Sequence, residues 1–531
     1  MAAEAQVALA QPSDTARAGD VTGERRIAWN VITSWAGHAV FLVGGFILPR
    51  VIDRHIGQVS LGIWDFSWSL VNYLGLAGLG IGSSVNRHVA IYRAQNDVAS
   101  LRRTVSSVTA IQVAAALVVC IGTCGVLYFI PSLLSNRAGV SVDEVRWVVG
   151  LLGLCLAVQM GFDAQRGVMT GCHRWDLHNG LNSGSYAVSL IGIVIALHFD
   201  GGLRAVAAVY TATAVLTELV RMLMVRQICP ELRIRLQYAE LAEAKKMFVF
   251  GGKVVVSGIP GLLLTQASSL MIAAYLGPAA LAVYSRPMAL IRNSQTLVNK
   301  FAFVLTPTAG SLRSVGKEGE LRQFFISATR CGVCLTLPLI LLLSIDGGLL
   351  LRIWMGPRYA YGGLIAVLAV GYFLSTTQQV VGTILIGLNL HGKPALYSIP
   401  VAIAGVLAGI VGMRTFGCTL SGAALMVVVP LAIGNGVIPM VYACRKLHVS
   451  VRQFAYRAFI APGVRAVPFA LCLLAANRIF TGHPFYAIAV GGAAGAALTA
   501  PLYWSYLRAG LHLDKTGGDE RSPSELQAAS N

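Results

Sequence analysis

The residues best equipped for chemistry are cations set inside an apolar stretch. Arg286, Asn293 and Lys300 recur every seven residues between about 280 and 306. Seven residues make nearly two helical turns, so they form one slowly drifting stripe along about 21 Å of helix. Arg292, Gln295 and Asn299 make a second stripe beside it. A charge at mid-bilayer costs roughly 2.5–3.5 kcal/mol on insertion scales and normally faces protein or water. No lipid-facing helix would tolerate both stripes, so this one is expected to line a hydrated, cationic cavity. Guanidinium groups present a fixed bidentate fork to phosphate oxygens. The chemistry this implies is anion binding, with Arg286 and Arg292 as the contacts.

Other polar residues recur at helical spacing and could complete such a cavity. Asn30, Ser34 and His38 share one face; Asp65, Trp68 and Asn72 share another; Lys253, Ser257 and Pro260 share a third, where Pro260 can kink the helix. The expected substrate-binding set is therefore Arg286, Arg292, Asn293, Lys300, Lys253, Asp65, Asn72 and His38. Plainer readings stand beside it. Lys253 and Lys300 fall near helix ends, where long side chains snorkel to the interface. Asp65 could serve only to neutralise Arg286 or Arg292, and a lone histidine such as His38 is more often a satisfied buried side chain than a proton carrier. Asp163 and Arg166, three residues apart, read as a structural pair, and Arg465 as a residue facing lipid headgroups.

The elements that must position these residues are membrane helices. The chain of 531 residues is 56% hydrophobic and only 12% charged, with a net charge of +18; its mean hydropathy is +0.68. Soluble domains carry about a quarter of their residues as charges. With bilayer as solvent, backbone polar groups must be satisfied inside helices or closed barrels, and apolar runs of about 20 residues select helices. Fourteen spans are expected, near 27–49, 60–82, 105–129, 147–169, 178–198, 203–225, 248–274, 280–306, 328–350, 362–388, 395–413, 419–442, 458–477 and 485–507. With the N-terminus inside, cytoplasmic segments hold 26 Lys and Arg and external segments 9, an asymmetry that places both ends in the cytoplasm. In that count Arg166 and Arg221 belong to cytoplasmic segments, and the longest external loop runs over 131–146.

The expected organisation is an all-α polytopic fold. It has a polar tail (1–26), a six-helix lobe (27–226), a linker (227–247), a second six-helix lobe (248–443), a second linker (444–457), two further helices (458–507) and a C-terminal tail (508–531). Two chemistries are set aside. The Gly387-x4-Gly392-Lys393 run ends in Pro394 and joins two membrane helices, so it is no nucleotide loop. Cys331-x-x-Cys334 opens a membrane helix, not a redox unit, and the ten cysteines read as small apolar side chains. No cofactor and no nucleic acid are expected.

The chain partly repeats itself. With a shift of 220 residues, Ile56-Gly57 through Leu61-Gly62-Ile63-Trp64 lies over Leu276-Gly277 through Leu281-Ala282-Val283-Tyr284, and Arg93 over Arg313. With a shift of 216, Val168-Met169-Thr170-Gly171 lies over Ile384-Leu385-Ile386-Gly387. Six spans per repeat make the two lobes parallel, related by an axis along the membrane normal, and transporters built this way hold substrate between their halves.

Four stretches carry a family likeness: the turn 56–64 with the Gly-rich 75–82 and Arg87; 167–174 with Asn179; 276–284 leading to Pro307; and 387–394. They resemble the recurrent signatures of Wzx-type polysaccharide transporters (O-antigen and exopolysaccharide flippases) in the MATE/flippase superfamily. The resemblance implies a multi-pass protein of the bacterial inner membrane that moves a polyprenyl-pyrophosphate-linked oligosaccharide to the outer leaflet. It also implies membrane lipids, a coupling ion (H+ or Na+) and polysaccharide-assembly proteins as partners. The alternatives are a MATE-type antiporter of cationic drugs, which would want acidic groups in the cavity, and a polysaccharide-assembly membrane enzyme, which would want a large external loop.

Overall fold

The computed structural model describes residues 24–78, 82–134, 141–303, 305–416 and 419–516; within them, the side chains of 24–28, 31, 77, 82–84, 132–134, 236, 241, 246–257, 416 and 509–516 lie outside the description. The elements are α1 (Glu24–Leu74), α2 (Gly82–Ala94), α3 (Val98–Leu134), α4 (Val142–Gly161), α5 (Asp163–Gly171), α6 (Trp175–His198), α7 (Gly202–Ile228), α8 (Leu241–Leu276), α9 (Pro278–Phe303), α10 (Leu305–Ser314), α11 (Glu318–Met355), α12 (Gly362–Gly387), α13 (Gly392–Phe416), α14 (Leu420–Leu431), α15 (Ile438–Lys446), α16 (Val451–Ala455), α17 (Ala461–Ile479) and α18 (Pro484–Thr516). No strand occurs among the described residues. Among the described residues, twelve helices are long and apolar enough to cross a bilayer. One of them, Ile32–Leu74, has 43 residues, twice a span's length, and breaks at Gly57. Counting it twice and adding α9, which its cations exclude on hydropathy alone, gives fourteen.

Two expected elements differ in detail. The fourth span is two helices, because Phe162 leaves the helical region (φ −101°, ψ 2°) and restarts the chain as α5. The external segment after α3 is shorter than the expected 131–146, since α3 runs on to Leu134 and α4 begins at Val142, capped by the Ser141 hydroxyl. The acidic pair Asp143 and Glu144 follows that cap, where the helix dipole favours negative charge.

Helices α1 to α7 pack mainly with one another: α3 on α4, α6 on α1 and α7, α4 on α7, α2 on α5. Helices α8 to α15 do the same: α11 on α12, α13 on α8 and α14, α12 on α9 and α14. The last pair, α17 and α18, pack together and against α11. The repeat is written into the backbone. Gly57 (φ 87°, ψ 170°) and Gly277 (φ 91°, ψ 163°), 220 residues apart, break their helices in the same left-handed conformation. Asn96 and Gly316 share positive φ at the same shift, as do His173 and Asn389 at 216. Positive φ is uncommon outside glycine, so three coincidences in register are a strong mark of duplication. A further pair concerns packing: a Cβ on Gly171 would lie 2.7 Å from the Asn86 carbonyl oxygen, and one on Gly387 would lie 2.4 Å from that of Thr306.

The two groups meet at the Gly57/Gly277 end. A Cβ on Gly62 would lie 1.8 Å from the Pro278 carbonyl oxygen, so the backbones touch there. Gln58 Nε2 donates to the Ala279 carbonyl (3.3 Å), Trp354 Nε1 to that of Phe46 (2.7 Å), and the Tyr359 hydroxyl to Asp53 Oδ1 (2.6 Å). Arg50 donates to the carbonyls of Ile353 (2.9 Å) and Trp354.

Candidate functional site

At the opposite end, where α1 begins and α9 finishes, the same helices enclose a cavity of about 770 Å³. Its wall comes from the start of α1 (Asn30, Ser34, Trp35), the α5–α6 junction and first turn (His173, Trp175, Asn179) and the end of α9 (Thr296, Asn299, Lys300, Phe303). The Lys300 ammonium sits 4.2 Å from the centroid of the Trp35 ring. A cation held on an aromatic face keeps its outward side free for an anion. His38 lies one turn from Trp35, with ring centroids 6.4 Å apart, and within electrostatic range of Lys300. Among the described residues, no carboxylate lines this cavity.

The expected site residues separate into three groups. Lys300 lies on the cavity wall, with His38 within electrostatic range of it. Arg292 and Asn293 are exposed on the preceding turns of α9, and Asn72 is exposed on α1. Arg292 has no ion-pair partner among the described residues. Arg286 is elsewhere: only 4% exposed, it is bonded to Asp65 across the two groups of helices. The pair lies eight or nine residues below the Gly57/Gly277 turns, about 12–13 Å by helical rise. Of the two readings of Asp65, the geometry pairs it with Arg286 and leaves Arg292 unpaired. The Lys253 side chain lies outside the described residues.

Two corrections concern arginines. Arg221, counted with the cytoplasmic segments, is fully buried in α7, and Arg166 is drawn into the same network. Arg166 reaches Asp163 (3.8 Å) and Glu218; Glu218 accepts from Arg221 (2.9 Å); Arg221 donates to Asn182 Oδ1 (2.7 Å) and lies 3.2 Å from His178 Nδ1. The sequence signal was there: Glu218 and Arg221 repeat the three-residue spacing of Asp163 and Arg166. Arg465 does not face headgroups alone, because its guanidinium stacks at 4.0 Å on the ring of Tyr506, which also lies 5.1 Å from the Arg330 guanidinium and donates to the Arg457 carbonyl (2.9 Å).

The cysteine reading also missed a contact. Cys172, after α5, and Cys229, after α7, are hydrogen-bonded partners buried beside Arg93, which is itself bridged to Glu231 at 3.2 Å. The hydrogen bond from Cys229 lowers the Cys172 thiol below its ordinary value, with the Arg93 guanidinium helping, while Cys229 is pushed up. The thiolate is the reactive form. Modification of Cys172 by methyl methanethiosulfonate, followed peptide by peptide in a mass spectrometer, is therefore expected to reach half its maximal rate at a pH below the ordinary thiol value. In Cys229→Ala the midpoint should move up toward the ordinary thiol value of about 8.5. No group of three or more His, Cys, Asp or Glu among the described residues could hold a metal ion.

A bundle of paired six-helix groups, closed at one end and hollow at the other, is the architecture of membrane transporters with parallel halves. The chain belongs to the family described as "Polysaccharide biosynthesis protein", which matches residues 30–313. It is 22% identical over 356 residues to a Shigella flexneri protein carrying the name "Putative O-antigen transporter", covering 65% of this chain and 82% of that one. Among solved structures, lipid II flippase MurJ in an inward closed conformation shares the fold with a TM-score of 0.64, 13% identity, and 90% and 99% of the two chains covered. An inward-facing multidrug resistance MATE transporter of the MOP superfamily gives 0.63, 12% identity, and 78% and 96%. These relatives are named as transporters and flippases; this chain shares the fold of the solved ones and is a multi-pass membrane protein.

Proposed function

We propose that the protein flips a polyprenyl-pyrophosphate-linked oligosaccharide across the bacterial inner membrane, with both termini in the cytoplasm and the 770 Å³ cavity open to that side. One observation carries the reading: the cavity wall combines a cation without a carboxylate partner, Lys300, with two tryptophans and three asparagines, and it lies between the two repeats. An ammonium and the exposed Arg292 suit the pyrophosphate. Aromatic faces and side-chain amides suit sugars, which present both apolar faces and hydroxyls. Arg286 serves differently from the other cations: bonded to Asp65, it closes the outer end above the substrate. Exchange of the closed end between the two sides moves the headgroup, while the lipid tail stays in the bilayer. Transport of cationic drugs fits less well, because no carboxylate among the described residues lines the cavity to receive them.

The test is Lys300→Met, which keeps the length of the side chain and removes its charge. A charge-assisted hydrogen bond is worth roughly 1.5–3 kcal/mol, so flipping of a lipid-linked glycan in proteoliposomes should slow at least about tenfold. Lys300→Arg should retain most of it. The measurement is protection of the glycan from membrane-impermeant periodate; a Lys300→Met rate within twofold of the parent would remove the basis of the proposal.

A further inference from the structure

Inside the second group of helices lies a separate pocket of about 400 Å³, bordered by α8, α9, α12, α13 and the π-helical turn Ala432–Val437 that joins α14 to α15. Its size falls in the range of small-molecule sites, roughly 300–1,000 Å³. Among the described residues, none that line it is Asp, Glu, Lys or Arg. Instead it gathers Gln295, Tyr372, Gln378, Gln379, His391 and Asn435. Gln378 is 2% exposed, yet neither its amide nitrogen nor its oxygen has a hydrogen-bond partner. The Tyr372 hydroxyl, Gln379 Oε1 and His391 Nδ1 are likewise unpaired. Buried polar groups are nearly always satisfied, and five such atoms without a protein partner converge on this one cavity. The backbone is irregular where it borders the cavity: the π turn places Asn435 on the wall, and such turns recur at functional sites.

The wall chemistry narrows the ligand. A phosphate would want a cation, a metal ion would want carboxylates, and an acyl chain would leave every orphan unpaired. Groups that both donate and accept, such as amides and hydroxyls, match a ligand whose groups also do both. We propose that this pocket binds one uncharged, hydroxyl-rich sugar residue, the outer part of the glycan whose pyrophosphate lies at Arg292 and Lys300. The α9 helix joins the two regions: Gln295 faces the pocket, Thr296 and Lys300 face the cavity, and Arg292 lies within electrostatic range of Tyr372. The position of the sugar's anionic end rests on the flippase reading; the pocket's own chemistry does not.

The experiment uses the full chain in lipid nanodiscs and two separate probes. Saturation-transfer NMR with D-glucose, D-galactose, D-mannose and N-acetyl-D-glucosamine reads the pocket; binding of undecaprenyl pyrophosphate reads the cationic region. At least one sugar should receive transfer, falling fivefold or more in Gln378→Met and in Gln379→Leu and unchanged in Lys300→Met. Undecaprenyl pyrophosphate should weaken at least tenfold in Lys300→Met and by less than twofold in Gln378→Met. Because Gln378 makes no hydrogen bond, Gln378→Met should melt at or above the parent's temperature. No transfer to any of the four sugars, transfer indifferent to both glutamines, or a Gln378→Met protein several degrees less stable would each overturn the inference. Glutamine-dependent transfer without pyrophosphate binding would keep the pocket and overturn the flippase reading instead.

Discussion

Glu218→Ala is expected to destabilise the protein by about 3–5 kcal/mol, the cost typical of breaking a buried ion pair from one side. Glu218 is 2% exposed and accepts from both Arg166 and the fully buried Arg221. Its removal leaves Arg221 with only the neutral Asn182 and His178 in a medium that cannot hydrate a guanidinium. Arg166 suffers less, because it is about a third exposed, borders two small cavities of about 200 and 250 Å³, and keeps Asp163. Arg221→Met should therefore cost less than Glu218→Ala, since Glu218 then retains Arg166. The double replacement Glu218→Gln with Arg221→Met should recover most of the loss, because no uncompensated charge remains. Thermal unfolding of the detergent-solubilised variants measures this. A Glu218→Ala protein less than about 1 kcal/mol weaker than the parent would mean that water already reaches the network.

Asp65→Asn should act mainly on which end of the molecule is open. The Arg286–Asp65 bond joins the two groups of helices below the Gly57/Gly277 turns, with Arg286 almost wholly buried. Neutralising Asp65 leaves that arginine desolvated and unpaired while the Gly57/Gly277 end is closed, a penalty of about 3–5 kcal/mol. A shift near 5.5 kcal/mol carries a two-state equilibrium from 1:99 to 99:1, so that end should open for most of the time. Cysteines placed at Gln58 and Ala279, which are bonded at 3.3 Å across the contact, provide the readout. Their cross-linking should fall at least fivefold in Asp65→Asn, and the exchanged pair Asp65→Arg with Arg286→Asp should restore part of it. Undiminished cross-linking in Asp65→Asn would show that the backbone contact at Gly62 and Pro278 holds the end shut without the ion pair.

Hydropathy alone revealed most of the helices, because a bilayer leaves the chain few alternatives. The repeat was legible through a handful of residues, and the backbone explains which ones: Gly57 and Gly277 hold the same left-handed turn, and Gly171 and Gly387 each allow a neighbouring carbonyl to approach. Charge inside α9 pointed to a cavity, yet spacing could not tell that Arg286 would be bonded to Asp65 while Lys300 would lie on Trp35. Partners on distant helices decide that, and helical periodicity carries no information about them. Arg221 was misplaced for a related reason. A count of basic residues near span ends treats each as hydrated, and only tertiary packing shows that Glu218 and Asn182 hold this one inside. The pocket around Gln378 gave no signal at all, since glutamine, serine and tyrosine at single positions are unremarkable in a membrane helix.

The even number of crossings before α8 has a bearing on biogenesis. A segment that enters and leaves on one face can be fully inserted and packed while the ribosome is still making the remainder, and the α3–α4–α7 and α1–α6 contacts need nothing from later in the chain. The second copy can then assemble by the same route without reorienting the first. The pair α17–α18, docked on α11, follows both groups in the chain, so a nascent protein truncated before it would already possess both groups of helices.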